Sequence, residues 1–310
     1  MPELPDVVVY VEALQERIRG QTLERVRLQS PFLLRSVDPP LADAHSRKVI
    51  GVRRLGKRIA MELEGQFFLV LHLMIAGRLH WKKPGAGLRG RQDLAAFDFA
   101  VGSLVLTEAG SRRRASLVAV QGEKALAKLD PGGLEVLEAS ETEFARRLVS
   151  SSHTLKRALT DAHIFSGIGN AYSDEILHAA RLSPFRRTSQ LTEDETRRLF
   201  AACRHVLNDW TDKLRKEVAE SFPEKVTAFR KDMAVHGRYR QPCPVCSTPI
   251  QRIVYAENEA NYCPTCQTQG RLLADRALSQ LLKEDWPRTL EELEARLERD
   301  SQGQKRQKRQ

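Results

Sequence analysis

The chain has 310 residues, 29% of them charged and 41% hydrophobic, enough apolar material for about two packed domains. Fifty Lys+Arg stand against 40 Asp+Glu, a net charge of +10 that favours an anionic partner such as nucleic acid or an acidic membrane surface. No run of about 18 apolar residues is present, and MPELPDVVVY lacks the basic and apolar regions of a secretion signal. The expected location is therefore cytoplasmic and nucleoid-associated. Disulfides are not expected there, so the five cysteines need another explanation.

Val7, Val11, Leu14 and Ile18 form the stripe of an amphipathic helix over 7–18, with Pro5 just ahead of it. Strands are predicted at 23–29, 48–54, 58–63, 67–73, 97–106 and 116–120. The gaps between them are mostly too short for crossover helices, which predicts antiparallel pairing. Segment 82–93 is a Gly/Pro/basic loop. The breaker Pro131-Gly132-Gly133 marks a boundary, and helices are predicted beyond it at 141–149, 153–162, 170–181 and 192–219. Thr192 and Glu195 form a capping box at the start of the last one. A helical segment, 271–299, is interrupted by Trp286-Pro287, and the polar, basic tail 301–310 has nothing to bury and is expected to be disordered.

Cys243-x-x-Cys246 and Cys263-x-x-Cys266 are two knuckles whose spacing suits one structural, tetrahedral zinc ion. The segment between them, with Ile250, Ile253, Val254 and Tyr255, reads as a β-hairpin. So small a module needs the metal in order to fold. Cys203 stands alone in a helix and reads as a buried small apolar residue.

Residues 2–5 are Pro-Glu-Leu-Pro. Once Met1 is removed, Pro2 carries a free secondary amine, and an α-amino group with a reference pKa of about 7.7–8.0 is partly neutral near physiological pH. A neutral amine can attack a sugar C1′ and form an iminium. Glu3 is a candidate general acid/base. Taken alone, the same residues also read as a plain start before a helix.

MPELPD, Gly56-Lys57-Arg58, Gly167-Ile168-Gly169-Asn170 followed by Glu175, and the four-cysteine finger occur in this order. Over residues 1–270 this combination resembles the formamidopyrimidine-DNA glycosylase/endonuclease VIII family. The resemblance implies an α+β protein with an N-terminal antiparallel β-sandwich and leading helix (1–132). A helix–two-turn–helix domain (133–240), a zinc finger (241–270) and a helical extension with basic tail (271–310) would follow. It implies a monomer acting on damaged or abasic-site DNA. Its activity would be that of a bifunctional glycosylase/AP lyase, with Pro2 as nucleophile, Glu3 as catalytic acid and Lys57 aiding catalysis at a phosphate. Asn170 would hold phosphate at a helix N-terminus, where free N–H groups suit an anion. Glu175 reads as a support of that motif.

Base flipping requires a wedge to fill the gap. The family's wedge methionine position holds Ile75, next to Met74, and the basic loop Arg112-Arg113-Arg114 lacks the family's aromatic. Asn258 stands where the finger arginine is expected, between Glu257 and Glu259, with Arg252 or Arg238 as substitutes. Asp6 replaces a frequent glutamate, Ala162 a usual glutamine, and 215–235 has no Gly-rich base-capping loop. These departures imply altered duplex grip or lesion choice. They also motivate a second reading, a non-catalytic protein of the same fold that binds damaged or unusual DNA. A zinc-ribbon RNA-binding protein is a third.

Overall fold

The computed structural model describes residues 1–110, 112–219, 221–224, 226, 230–255, 258–274, 287–293 and 295. Most of the predicted 271–299 helix, and all of the 301–310 tail, lie outside them. The chain divides into two compact units. The first comprises Met1–Ser140, Asp161–Gly169 and Leu207–Ala228, and the second Glu141–Thr160, Asn170–Val206 and the chain from 229 onward.

In the first unit, helix α1 (Leu4–Ile18) buries Val7, Leu14 and Ile18 of the predicted stripe, and Val11 packs partly against the same core. It starts three residues earlier than predicted because Pro5 lies in its first turn, where a missing N–H costs nothing. The strands are β1 (Thr22–Leu23), β2 (Arg25–Leu28), β3 (Arg47–Leu55), β4 (Arg58–Leu63), β5 (Phe67–His72), β6 (Gly77–Lys82), β7 (Asp93–Phe99), β8 (Gly102–Glu108) and β9 (Ser116–Gln121). They form two antiparallel sheets, in the orders β1-β3-β4-β5-β9 and β2-β7-β8-β6. The core between them combines Met61, Leu69 and Leu71 of one sheet with Leu79, Phe97 and Leu104 of the other, under Tyr10 and Leu14 of α1. Burying these side chains contributes about 1.5–3 kcal/mol each. Strand β5 is buried along nearly its whole length because Leu126 of helix α2 (Glu123–Ala127) covers Phe68 and Val70 on its other face.

Two predicted strands are corrected. Segment 23–29 divides at Glu24: Thr22–Leu23 pairs with β3 in one sheet, and Arg25–Leu28 with β7 in the other. Segment 97–106 is two strands, β7 and β8, reversing tightly so that Phe99 pairs with Gly102. A Cβ on Gly102 would fall 2.4 Å from the Trp81 ring, so the reversal needs glycine there.

The second unit is helical. It contains α3 (Glu141–Leu148), α4 (Leu155–Thr160), α5 (Asn170–Ala179) and the N-terminal half of α6 (Glu193–Val218). The capping box is formed: Thr192 Oγ1 accepts the Glu195 N–H at 3.1 Å, and Glu195 Oε2 accepts the Thr192 N–H at 2.9 Å. The finger adds the hairpin β10 (Gln251–Tyr255) and β11 (Asn258–Tyr262), then the short helix α7 (Pro264–Thr268). Cys203 is fully buried in α6, which pushes its thiol pKa upward. Among the described residues no helix is long and apolar enough to cross a membrane.

Candidate functional site

Pro2 and Glu3 are buried immediately ahead of α1. The Asp6 carboxylate accepts the Glu3 N–H at 2.9 Å, so the shorter acid at position 6 caps its own helix. The Glu3 carboxylate accepts the Gly169 N–H at 2.7 Å, and the Leu4 N–H donates to the Gly167 carbonyl at 2.9 Å. Both glycines are required by this contact. A Cβ on Gly169 would lie 2.4 Å from Glu3 Cδ. One on Gly167, whose φ is +78°, would lie 2.8 Å from Leu4 Cβ. The Gly-Ile-Gly turn therefore clasps the start of the chain, a role its sequence does not announce.

The terminal amine, here that of Met1, is held below its ordinary pKa. Desolvation is the main cause, Arg78 and Lys57 act in the same sense, and Glu3 and Asp6 oppose them. Lys57 thus shares one electrostatic neighbourhood with Glu3. It occupies the reversal between β3 and β4, where Gly56 takes φ +61° as the first central residue of the hairpin turn. Arg54 anchors that turn through Gly56 O at 2.9 Å and Ser166 Oγ at 3.3 Å, and it pairs with Glu135.

His72, at the end of β5, carries no motif signal in the sequence. Burial pulls its pKa down to about 4, with help from Arg58 and Lys57, and its Nδ1 accepts the Met74 N–H at 3.1 Å. The loop after it is tight: a Cβ on Gly77 would lie 2.3 Å from Leu73 O. Met74 takes φ +52° and is half-buried, while Ile75 is exposed.

Arg112, Arg113 and Arg114 are exposed. Ser111 lies outside the described residues. The buried Glu108 carboxylate fixes this loop by accepting the N–H groups of Arg114, at 2.9 Å, and Ala115, at 3.0 Å. The sequence carries no local signal for that tether.

In the second unit, Asn170 opens α5, and its carbonyl accepts Lys156 Nζ at 2.6 Å. Lys156 also pairs with Asp174 at 2.6 Å, and Asp174 takes His236 Nδ1 at 2.8 Å, all of them buried. Glu175 accepts the backbone N–H groups of Ala234, Val235 and His236 at 2.7–2.9 Å, which is a structural use of the carboxylate. Arg252 stacks 4.4 Å over the Tyr239 ring and pairs with Glu259 at 3.5 Å. Arg238 is engaged with Gln241 Oε1 at 3.1 Å and Met233 O at 3.0 Å. Asn258 pairs with Tyr255 through the backbone. Its side chain, and residues 256 and 257, lie outside the described residues.

The thiols of Cys243, Cys246, Cys263 and Cys266 all lie within 4.8 Å of one another. Pairs at 3.9, 3.4 and 3.5 Å bracket the roughly 3.8 Å edge of a tetrahedron with Zn–S bonds of about 2.3 Å. The donor set thus fits one structural Zn2+, with no position left open for substrate.

Three family models match in chain order. They are the formamidopyrimidine-DNA glycosylase N-terminal domain over residues 1–117, the H2TH domain of the same enzyme over 133–215, and a zinc finger found in FPG and IleRS over 240–269. The formamidopyrimidine-DNA glycosylase of Thermus thermophilus is 34% identical over 281 residues, covering 87% of this chain and all of that protein. The enzyme of Heliobacterium modesticaldum is 34% identical over 284 residues, 86% of this chain and all of that one. Among solved structures, Lactococcus lactis FPG (MutM) in complex with a FAPY-dG-containing DNA superposes with a TM-score of 0.76 at 25% identity, covering 86% of this chain and all of that one. Fold, finger and matches together define a DNA glycosylase, an enzyme of base-excision repair. The chain belongs to the formamidopyrimidine-DNA glycosylase family.

Proposed function

We propose that the chain is a bifunctional DNA glycosylase/AP lyase acting on damaged or abasic-site DNA, with Pro2 as its nucleophile. The observation that carries this reading is the placement of the buried Pro2–Glu3 pair. Glu3 is locked on the Gly169 N–H, and the surroundings disfavour charge on a terminal amine. After Met1 is removed, the Pro2 nitrogen lone pair bonds C1′, the glycosidic bond breaks, and the base leaves with the proton that the nitrogen gives up. Glu3 gives a proton to the ring oxygen as the sugar opens, and the iminium forms. Loss of a C2′ proton then expels the 3′ phosphate, loss of a C4′ proton expels the 5′ phosphate, and water releases the amine. Lys57 stabilises phosphate charge beside the reacting sugar. Asn170 at the α5 N-terminus, Arg112, Arg113 and Arg114 hold further phosphates, with Arg252 and Asn258 at the finger. The zinc ion is structural and supplies no chemistry to the sugar.

The working division is a sandwich that does the chemistry (1–132), helices that grip DNA (133–240) and a finger that completes the grip (241–270). The test is an end-labelled abasic duplex incubated with wild type and Lys57→Ala. We expect β- and δ-elimination products from wild type and much slower cleavage by the variant. Asn258 in place of an arginine, with Arg252 drawn to Glu259, favours the second reading, a DNA-binding protein without excision. Tight binding with no strand cleavage by wild type would establish that reading instead.

A further inference from the structure

Helix α5 meets the finger through residues one turn apart. Asp174 Oδ2 accepts Asn261 Nδ2 of β11 at 3.3 Å. Four residues on, on the same face, His178 Nε2 lies 3.3 Å from Cys243 Sγ. His178 is 6% exposed and belongs to no other part of the site. It is not a metal ligand, because the four thiols already complete the tetrahedron. Around a bound metal ion the cysteines are thiolates and carry no proton, so hydrogen in this contact can come only from the imidazole. Among the described residues the Val245 N–H also donates to this sulfur, at a longer 3.5 Å.

We infer that His178, as the Nε2–H tautomer, donates a hydrogen bond to the zinc-bound Cys243 thiolate and thereby fastens the metal site to the helix that begins with Asn170. A donor drains charge from the sulfur. It also holds the sulfur in place toward the metal, and so slows metal loss. Burial strengthens the bond, because no water competes for the sulfur. Partners of this kind around metal ligands are typically worth about 10–100-fold in metal affinity. His178 is a positioning residue for the metal, distinct from the residues that meet DNA.

The test uses the full chain as wild type, His178→Phe and His178→Gln, each loaded with cobalt(II) or zinc. Losing the donor raises the energy of the sulfur lone pairs. His178→Phe should therefore move the thiolate-to-cobalt charge-transfer band to longer wavelength and release zinc to a chelator roughly tenfold faster or more. His178→Gln, which keeps an N–H, should restore the band and much of the retention. A His178→Phe band and release rate equal to wild type would overturn the inference. Should His178→Phe fail to fold, nitrogen NMR of the wild-type zinc protein decides. A proton on Nε2 of His178 supports the bond, and a proton on Nδ1 alone overturns it.

Discussion

Gly169→Ala is the sharpest probe of the clasp around the N-terminus. The φ of Gly169 lies outside the left-handed region, so alanine can take the backbone conformation. The new Cβ would sit 2.4 Å from Glu3 Cδ and 2.5 Å from Glu3 Oε1, where ordinary contact begins at 3.4 Å. The carboxylate must therefore retreat by about 1 Å, and it gives up its 2.7 Å bond to the residue 169 N–H. The clashing atoms are the free end of a side chain and can swing away. The stability loss is thus limited to a charged hydrogen bond and mild overpacking, about 2–3 kcal/mol. With Glu3 in the role proposed above, a misplacement of this size costs about 10²-fold in rate. Thermal melting and single-turnover cleavage of abasic DNA, measured on the same preparation, separate the two effects. We expect a folded protein, a Tm lower by about 4–12 °C, and cleavage slowed about a hundredfold. Wild-type cleavage with a lowered Tm would instead show that the clasp serves folding alone.

Replacing Lys156 with Met leaves the buried Asp174 without its 2.6 Å cation and should destabilise the helical unit by about 3–5 kcal/mol, read by urea unfolding. His72 is held near pKa 4 against 6.5 when unfolded. Its contribution is complete above pH 6.5 and is lost as pH falls towards 4, so stability should drop by about 2–3 kcal/mol over that window, and His72→Gln should flatten the drop. Stripping zinc with a chelator should unfold residues 243–266, whose core is small, and remove DNA binding while the sandwich keeps its own melting transition, followed by calorimetry and gel shift. In the folded zinc protein Cys203 should resist alkylation by iodoacetamide, since burial raises its pKa and blocks access, and mass spectrometry should find it labelled only after denaturation.

Much of the architecture is legible because it is local. The α1 stripe, the α6 capping box and the two cysteine knuckles each carry their signal within a few residues. The failures are contacts between distant segments. The β7–β8 reversal has no Asn-Gly or Pro-Gly signature, because Gly102 is there to fit beneath Trp81 rather than to make a turn. Strand β6 does carry the period-2 alternation, with Arg78, His80 and Lys82 set between Leu79 and Trp81, but with only two large apolar residues at a sheet edge the signal is short. At the site, Pro2, Glu3 and Lys57 stand out by type and by motif. The Glu3–Gly169 bond and His178 beside Cys243 span 166 and 65 residues, and the Glu108 tether under the arginine loop, although only six or seven residues long, follows no turn or capping pattern along the chain. Arg238 bonds within its own loop, to Gln241 Oε1 and Met233 O, a contact the sequence also does not signal.

The most direct test of the central claim is borohydride trapping on abasic-site DNA, followed by peptide mapping of the crosslink. Wild type, Pro2→Gly and a form with an N-terminal tag would be compared. A reduced crosslink on the Pro2 nitrogen is expected in wild type and is lost on tagging, because a tagged Pro2 is an amide and has no nucleophilic lone pair. A crosslink mapped to a lysine, or one undiminished by the tag, would contradict the claim.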